Sequence, residues 1–446
     1  IDDKNFSKLG KRNAIISDLS PIASFIGQNY NNPICPEEYL KHSKELLEAV
    51  NQKCGWMYET HHNNDEIGTI NYTVYSDVFI CSNCNEEIVF YDVAVDKITG
   101  KVLPNFVCPH CDTELKKRQL ERAKTIYYDE FLDDSIKLSK QVPVLINYSI
   151  VGSKESFNKE PDDFDIKLIQ KVDDCKITDW FPLVKIMEGY NTRQPKVSHG
   201  LSHLHHFYSK RALATLASAY AEVERVPLNS RNYLKYTIEQ AVLGMAKIAR
   251  YVPTHFSQVN QYLSGTLYIG SQIVDVSIDY ILKGKVNRLF KMLQGFEKGS
   301  QIAVQTGDAA SLNLRDNSID YIFIDPPFGA NLNYSELNFL WESWLKVRTM
   351  NQPEAIENPV QGKGPDEYRS LMLSCFNEAY RVLKPSKWIT VEFSNTKAAV
   401  WNSIQSALSE AGFIVANVSA LDKKQNTFKA ITTTTAVKQD LVISAY

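Results

Sequence analysis

From Gln301 onward the chain alternates short apolar runs with helical patterns, and that alternation restricts it to an open α/β sheet. The runs AVQTGDA, YIFIDPP, WITVEFS and LVISAY are near-continuous in apolar residues, the character of parallel strands covered on both faces. Between them, LNFLWESWLKV, YRSLMLSCFNEAYRVL and VWNSIQSALSEAG space their apolar residues as helices do. In such a sheet, ligands bind beyond the carboxyl ends of the strands. A further β-α unit lies near the start. Ala14-Ile15-Ile16 reads as a buried strand, Asp18 follows it, and Ser20-Pro21 opens a helix with proline in its first turn.

The 446 residues are 44% hydrophobic and 23% charged, which excludes a disordered chain, a collagen-like repeat and a disulfide scaffold. At about 150 residues per domain, roughly three domains or subdomains are expected. No apolar run reaches the length of a membrane span, so none is expected. The opening IDDKNFSKLGKRN lacks both an initiator Met and the apolar core of a secretory signal. The numbering is therefore expected to start inside a longer gene product. Net charge is −3, yet residues 181–300 hold 15 Lys and Arg against 7 Asp and Glu. A basic middle fits a polyanion-binding face, and fits a set of solvated helix faces equally well.

Before residue 301 the pattern is less regular. A helix is expected over 37–54, strands from Thr69 to about Phe106, and a charged helix over ELKKRQLERAK. Short strands and acidic loops follow over 143–180, helices over 207–250, then a strand and a basic helix over 262–300. Cys81-Ser-Asn-Cys84 and Cys108-Pro-His-Cys111 are separated by 23 residues. Each CxxC places two thiolates on one knuckle, and two knuckles complete a tetrahedral sulfur site. The expectation is a zinc ribbon with a closed, structural zinc, in a reducing, cytoplasmic compartment. His110 reads as a neighbour rather than a ligand. HGLSHLHHFYSKR adds His199, His203, His205 and His206. No carboxylate stands at helical spacing from them, so this segment reads as a loop feeding a helix.

The segment YIFIDPPFGANLNYSE carries the chemistry. An apolar strand ends at Asp325, and Pro326, Pro327 and Phe328 follow. Two prolines fix the backbone and remove two donors, so the loop is rigid and its carbonyls lack local partners. This geometry suits methylation of an aromatic amine, whose nitrogen lone pair is delocalised into the ring. A carboxylate (Asp325) and a carbonyl (Pro326) accepting its two hydrogens would draw that nitrogen towards tetrahedral geometry. Phe328 would stack on the base.

On these residues the sequence resembles the S-adenosylmethionine-dependent DNA amino-methyltransferases, and is most similar to prokaryotic adenine-specific DNA methylases containing a zinc ribbon. DPPF matches the family's catalytic motif, (D/N/S)PP(Y/F/W). RNAIISDLSPIA resembles its second strand, TGDA its third, and VLKPSKWITVEF the following helix-strand unit. The resemblance implies a Rossmann-like class I methyltransferase sheet with a large insertion holding a zinc ribbon and helices. It implies four stretches: the methyltransferase domain over 1–60 and 301–446, the ribbon over 61–130, and a target-recognition region over 131–300. Asp18 would hold the ribose hydroxyls of S-adenosylmethionine and Asp308 its adenine amino group, although either aspartate could instead cap a turn or helix. The family's Gly-rich loop is not found in the chain. Lys210 and Arg211 become candidate phosphate contacts and Tyr334 a wall of the base pocket, while Lys116, Lys117, Arg118 and Arg122 could face phosphate. The implied substrate is adenine N6 in double-stranded DNA, with a restriction or defence-system partner possible. Cytosine N4, an RNA base, a protein amide or a catalytically silent DNA-binding subunit are the alternatives.

Overall fold

The structure is a computed structural model, described for residues 10–63, 66–153, 155–255, 258–259, 261–296, 300–394, 398–422 and 439–446. It is a mixed α/β protein. Strand β1 (Ala14–Asp18) leads through Ser20 into helix α1 (Pro21–Asn31), with Pro21 in the first turn, where a missing N–H costs nothing. The chain then leaves this unit and builds a separate body.

That body is an antiparallel sheet covered by helices. Its centre is the long strand β2 (Ile67–Ile80), flanked by β3 (Gln141–Ile150) and β4 (Gln272–Val276). Helices α2 (Pro36–Cys54), α3 (Lys210–Val223), α4 (Leu228–Val242) and α5 (Ile278–Gln294) pack together over it. Tyr39, Leu46, Tyr72, Val74, Leu216, Ile238 and Trp344 share this main core. The sheet spans both stretches that the sequence divided near residue 130, because β2 lies on one side of that boundary and β3 on the other.

After Ile302 the chain returns to α/β architecture. Strand β5 (Ile302–Thr306) pairs in parallel with β1, Ala14 opposite Ile302 and Asp18 opposite Thr306. Strand β6 (Ile319–Ile324) pairs in parallel with β7 (Leu383–Phe393). Helix α6 (Pro365–Val382) joins the two and packs on α7 (Ala398–Glu410). Strands β8 (Val415–Asp422) and β9 (Gln439–Ala445) complete the order β6-β7-β9-β8. Here LVISAY runs antiparallel to both neighbours, against the parallel expectation. A continuous apolar run reports burial on two faces, not direction.

Among the described residues β1 pairs only with β5, and β6 only with β7. Each therefore keeps one hydrogen-bonding edge open, and Ile15, Tyr321 and Phe323 on these strands are exposed, so neither the buried strand expected at Ala14-Ile15-Ile16 nor the cover on both faces expected for YIFIDPP is met. The expected charged helix over ELKKRQLERAK is also absent: those residues form two short strands around a 3₁₀ turn. Glu121 and Arg122 pair with β2 instead, so ladder hydrogen bonds outweigh helix propensity there.

Candidate functional site

Strand β6 delivers Asp325 to its carboxyl end. Asp325 is exposed, Pro326 is buried and Phe328 is half-buried. The Phe328 ring stands edge-on to Phe393 of β7, with centroids 5.3 Å apart. Tyr368, fully buried on α6, donates its hydroxyl to the Pro327 carbonyl at 2.8 Å. The second proline's carbonyl is thus occupied from within. Among the described residues nothing donates to the Pro326 carbonyl, which leaves it as the acceptor beside Asp325.

The segment after the motif is held by three buried carboxylates that the sequence did not single out. Glu354 accepts from the Ser335 amide at 2.9 Å and its hydroxyl at 2.7 Å. Glu336 accepts from the Asn191 amide at 2.6 Å and Asn358 Nδ2 at 3.0 Å. It lies so close to Gly189 that a Cβ there would meet its carboxylate carbon at 2.4 Å, so a side chain at 189 would push the carboxylate off Asn191 and Asn358. Glu342 accepts from Ser20 Oγ at 2.8 Å and the Thr349 amide at 2.7 Å, tying this segment to the turn after β1. In sequence these glutamates look like solvated helix residues. Tyr368, at helical spacing from Met372 and Phe376, looks like core alone.

Asp18 ends β1 and accepts from the Ser20 amide at 2.8 Å through Oδ1. Its pKa is raised, first by the protein crowding it and further by Glu342, against the Ser20 hydrogen bond. Asp308, just past β5, accepts from the Ala310 amide at 2.9 Å, also through Oδ1. Both carboxylates therefore serve local turns, as the alternative reading held, and each has a second oxygen. Tyr334 is 36% exposed. Its hydroxyl is pushed up to about 12 by burial, then by the charges of Asp325, Glu354 and Asp18.

The four cysteines of the paired knuckles converge, with Cys81 Sγ 3.8 Å from Cys111 Sγ and Cys84 Sγ 3.8 Å from Cys108 Sγ. A tetrahedron of Zn–S bonds near 2.3 Å has sulfur–sulfur edges of about 3.8 Å, so the donor set fits zinc. The knuckles are built alike. Asn85 and Asp112 follow the second cysteine of each, at φ 61° and 56°, and donate to the Cys81 and Cys108 carbonyls at 3.0 Å. Asn and Asp tolerate this left-handed conformation better than other non-glycine residues. Phe79, Phe90, Phe106 and Leu115 form a small core of their own around them.

The phosphate-contact expectation fails for Arg211, which is 4% exposed. Its guanidinium donates to Asp275 Oδ2 and Thr73 Oγ1, each at 2.7 Å. Lys210 is paired with Glu130 and lies over the Phe131 ring, so in this structure it does not face a phosphate either. Both begin α3, and that end of the helix is packed against the sheet. Of the cations near the knuckles, Arg122 bonds Asp77 at 2.7 Å and Lys117 lies over Phe90.

The histidine segment does gain a carboxylate, from far away in sequence. His205 Nε2 and His206 Nε2 each lie 2.7 Å from Oδ2 of the buried Asp129. These three groups could in principle hold an ion. Yet His206 Nδ1 accepts from the Ser202 and His203 amides, both at 3.2 Å. That assigns the proton to Nε2, which then donates to Asp129 rather than binding a metal.

No family model matches the chain, and no curated protein matches it. Among solved structures, an S-adenosylmethionine-dependent methyltransferase from Aquifex aeolicus is 17% identical, with 38% of this chain and 65% of that one covered, at a TM-score of 0.18. One from Methanosarcina mazei is 14% identical, with 36% and 76% covered, at 0.19. The [4+2]-cyclase SpnF is 12% identical, with 32% and 56% covered, at 0.19. The chain thus spans less than two thirds of the cyclase and of the Aquifex protein. Likeness this slight assigns neither fold nor function.

Proposed function

We propose that this chain is an S-adenosylmethionine-dependent methyltransferase acting on the exocyclic amino nitrogen of adenine in DNA. The observation that carries the reading is the Asp325-Pro326-Pro327-Phe328 corner at the carboxyl end of a parallel strand, with the segment after it tied through Glu342 to Ser20, two residues past Asp18. S-adenosylmethionine, when bound, supplies an electrophilic methyl group. Asp18 and Asp308 would hold it: they end paired parallel strands, and each has a carboxylate oxygen beyond the one its local amide uses. Such oxygens accept hydroxyl or amino hydrogens.

The chain's own contribution is positioning and aimed electrostatics. Asp325 and the Pro326 carbonyl accept the two amino hydrogens and so release the nitrogen lone pair. Tyr368 holds the diproline corner still by occupying Pro327. Phe328 and Tyr334 offer aromatic surface to the base. The four cysteines would hold a structural zinc with no open position. A second reading, a catalytically silent DNA-binding subunit, is favoured by the lack of a Gly-rich cofactor loop in the sequence.

Incubation with labelled cofactor and unmethylated plasmid, followed by base analysis, tests both. N6-methyladenine is expected. Label in cytosine, RNA or protein rejects the adenine assignment, and DNA binding without transfer favours the second reading. Asp325→Ala should abolish transfer with zinc content unchanged; retained transfer removes Asp325 from its role.

A further inference from the structure

Beyond the helical turn Phe339–Trp344, the loop Lys346-Val347-Arg348 rims a cavity of about 440 Å³ that the proposed chemistry leaves unused. Its walls are apolar and include Trp180, Leu183, Phe339 and Val347. Trp180 is 44% exposed, Leu183 47% and Val347 41%, a contiguous apolar surface that a partner would cover. The acid in its lining, Glu342, is buried and already engaged by Ser20 and Thr349. Of the nearby acids, Glu224 pairs with Arg231 and Lys235, while Asp179 lies 3.8 Å from Lys53, whose closer partner is Glu222 at 2.5 Å. Lys346 and Arg348 form no ion pair among the described residues, and both are exposed. Lys346 Nζ sits 4.0 Å above the Trp180 ring centre.

An apolar, aromatic-walled cleft with unpaired cations at its rim suits a planar ring attached to an anion. We infer that it takes a nucleotide unit of a nucleic-acid strand, the base against the exposed Trp180, Leu183 and Val347 surface and the phosphates on Lys346 and Arg348. The inference rests on the nucleic-acid substrate proposed above. Its position agrees with that substrate, because Glu342 links the cleft to Ser20, two residues from Asp18.

The test is fluorescence anisotropy of a fluorescein-labelled 20-nucleotide DNA, single- and double-stranded, across a salt series. Lys346→Ala with Arg348→Ala should weaken binding at least tenfold at 0.1 M salt and flatten the log K against log salt slope by nearly 2, at about 0.9 per phosphate contact. Trp180→Ala should weaken single-strand binding roughly fivefold or more with the slope unchanged. Because Trp180 packs edge-on to Trp344, folding is checked by circular dichroism and the thermal unfolding midpoint, and the exposed Lys-Arg pair decides the matter if Trp180→Ala unfolds. The inference is overturned if the double variant binds like the parent, or if Lys283→Ala with Lys291→Ala on α5 has the same effect. It also falls if polyglutamate displaces the strand as well as unlabelled DNA does. The plasmid assay is run on the parent and is separate: transfer by the parent with binding unaltered in the variants sinks the cleft alone, and binding altered in the variants with no transfer by the parent sinks the methyltransferase reading alone.

Discussion

The Tyr368 hydroxyl occupies the Pro327 carbonyl of the corner, and on the proposed function its contribution should be visible in rate rather than affinity. Tyr368→Phe removes one hydrogen bond to a backbone carbonyl, worth about 1 kcal/mol. We expect kcat to fall about fivefold, with KM for DNA and for cofactor within twofold of the parent. A raised KM with kcat intact would show that Tyr368 supports binding and not the corner. Nothing in the sequence separated this tyrosine from a core residue, since spacing reports a buried face but not where a hydroxyl ends. Arg211 is the converse case. Its basic, helix-opening position suggested a phosphate, whereas three-dimensional packing gave it Asp275 and Thr73 as partners. Asp325, by contrast, was legible because an apolar strand followed by two prolines fixes both its place and its rigidity.

At the scale of elements, the paired knuckles were readable from cysteine spacing alone, and their tetrahedral sulfur edges are consistent with a metal. The expected zinc content is one per chain, and Cys81→Ser should lower it to background. Because the knuckle core is small, that variant should expose residues 81–115 to protease before the β2–β3 sheet opens; unchanged proteolysis would argue against a structural metal. The histidine segment acts as a lock on the strand that carries Asp129. Burial, against its hydrogen bond to Asp129, lowers the His206 pKa to about 4. Burial opposes the Asp129 charge, but hydrogen bonds from His206 and His205 outweigh it and lower its pKa. On unfolding, His206 returns to about 6.5 and binds more protons, so its stabilisation is complete above that pH and is lost as pH falls toward 4. At pH 5 the loss is about 2 kcal/mol. Urea unfolding at pH 7.5 and 5.0 should show it, and His206→Asn should shrink the difference; equal midpoints for the parent at both pH values would remove His206 from this role.

For the molecule as a whole, the strands that end at Asp18 and Asp325 belong to two groups that are not hydrogen-bonded to each other among the described residues. The main core lies elsewhere, in the inserted body, where β2 carries ladders on both sides. Backbone amides of β1 and β6 should therefore exchange with deuterium at least tenfold faster than those at the middle of β2. Comparable protection in both regions, measured by mass spectrometry, would mean that these strands are as cooperative as the core. Among the described residues no helix is long and apolar enough to cross a membrane.

The sequence by itself determined the elements whose signal is local. These are β1 with its Pro-started helix, the strand-helix alternation after Gln301, the cysteine knuckles and the diproline corner, each set by periodicity, backbone restriction or ligand spacing within a few residues. Only the tertiary structure decided the direction of β9, the loss of the charged helix, the pairing of Lys210 with Glu130 and the burial of Arg211 against Asp275 and Thr73. It also decided the pairing of Asp129 with two histidines and the capture of Pro327 by Tyr368. Those outcomes depend on which distant groups compete for the same hydrogen bond or charge once water is excluded, and a linear pattern carries no record of that competition.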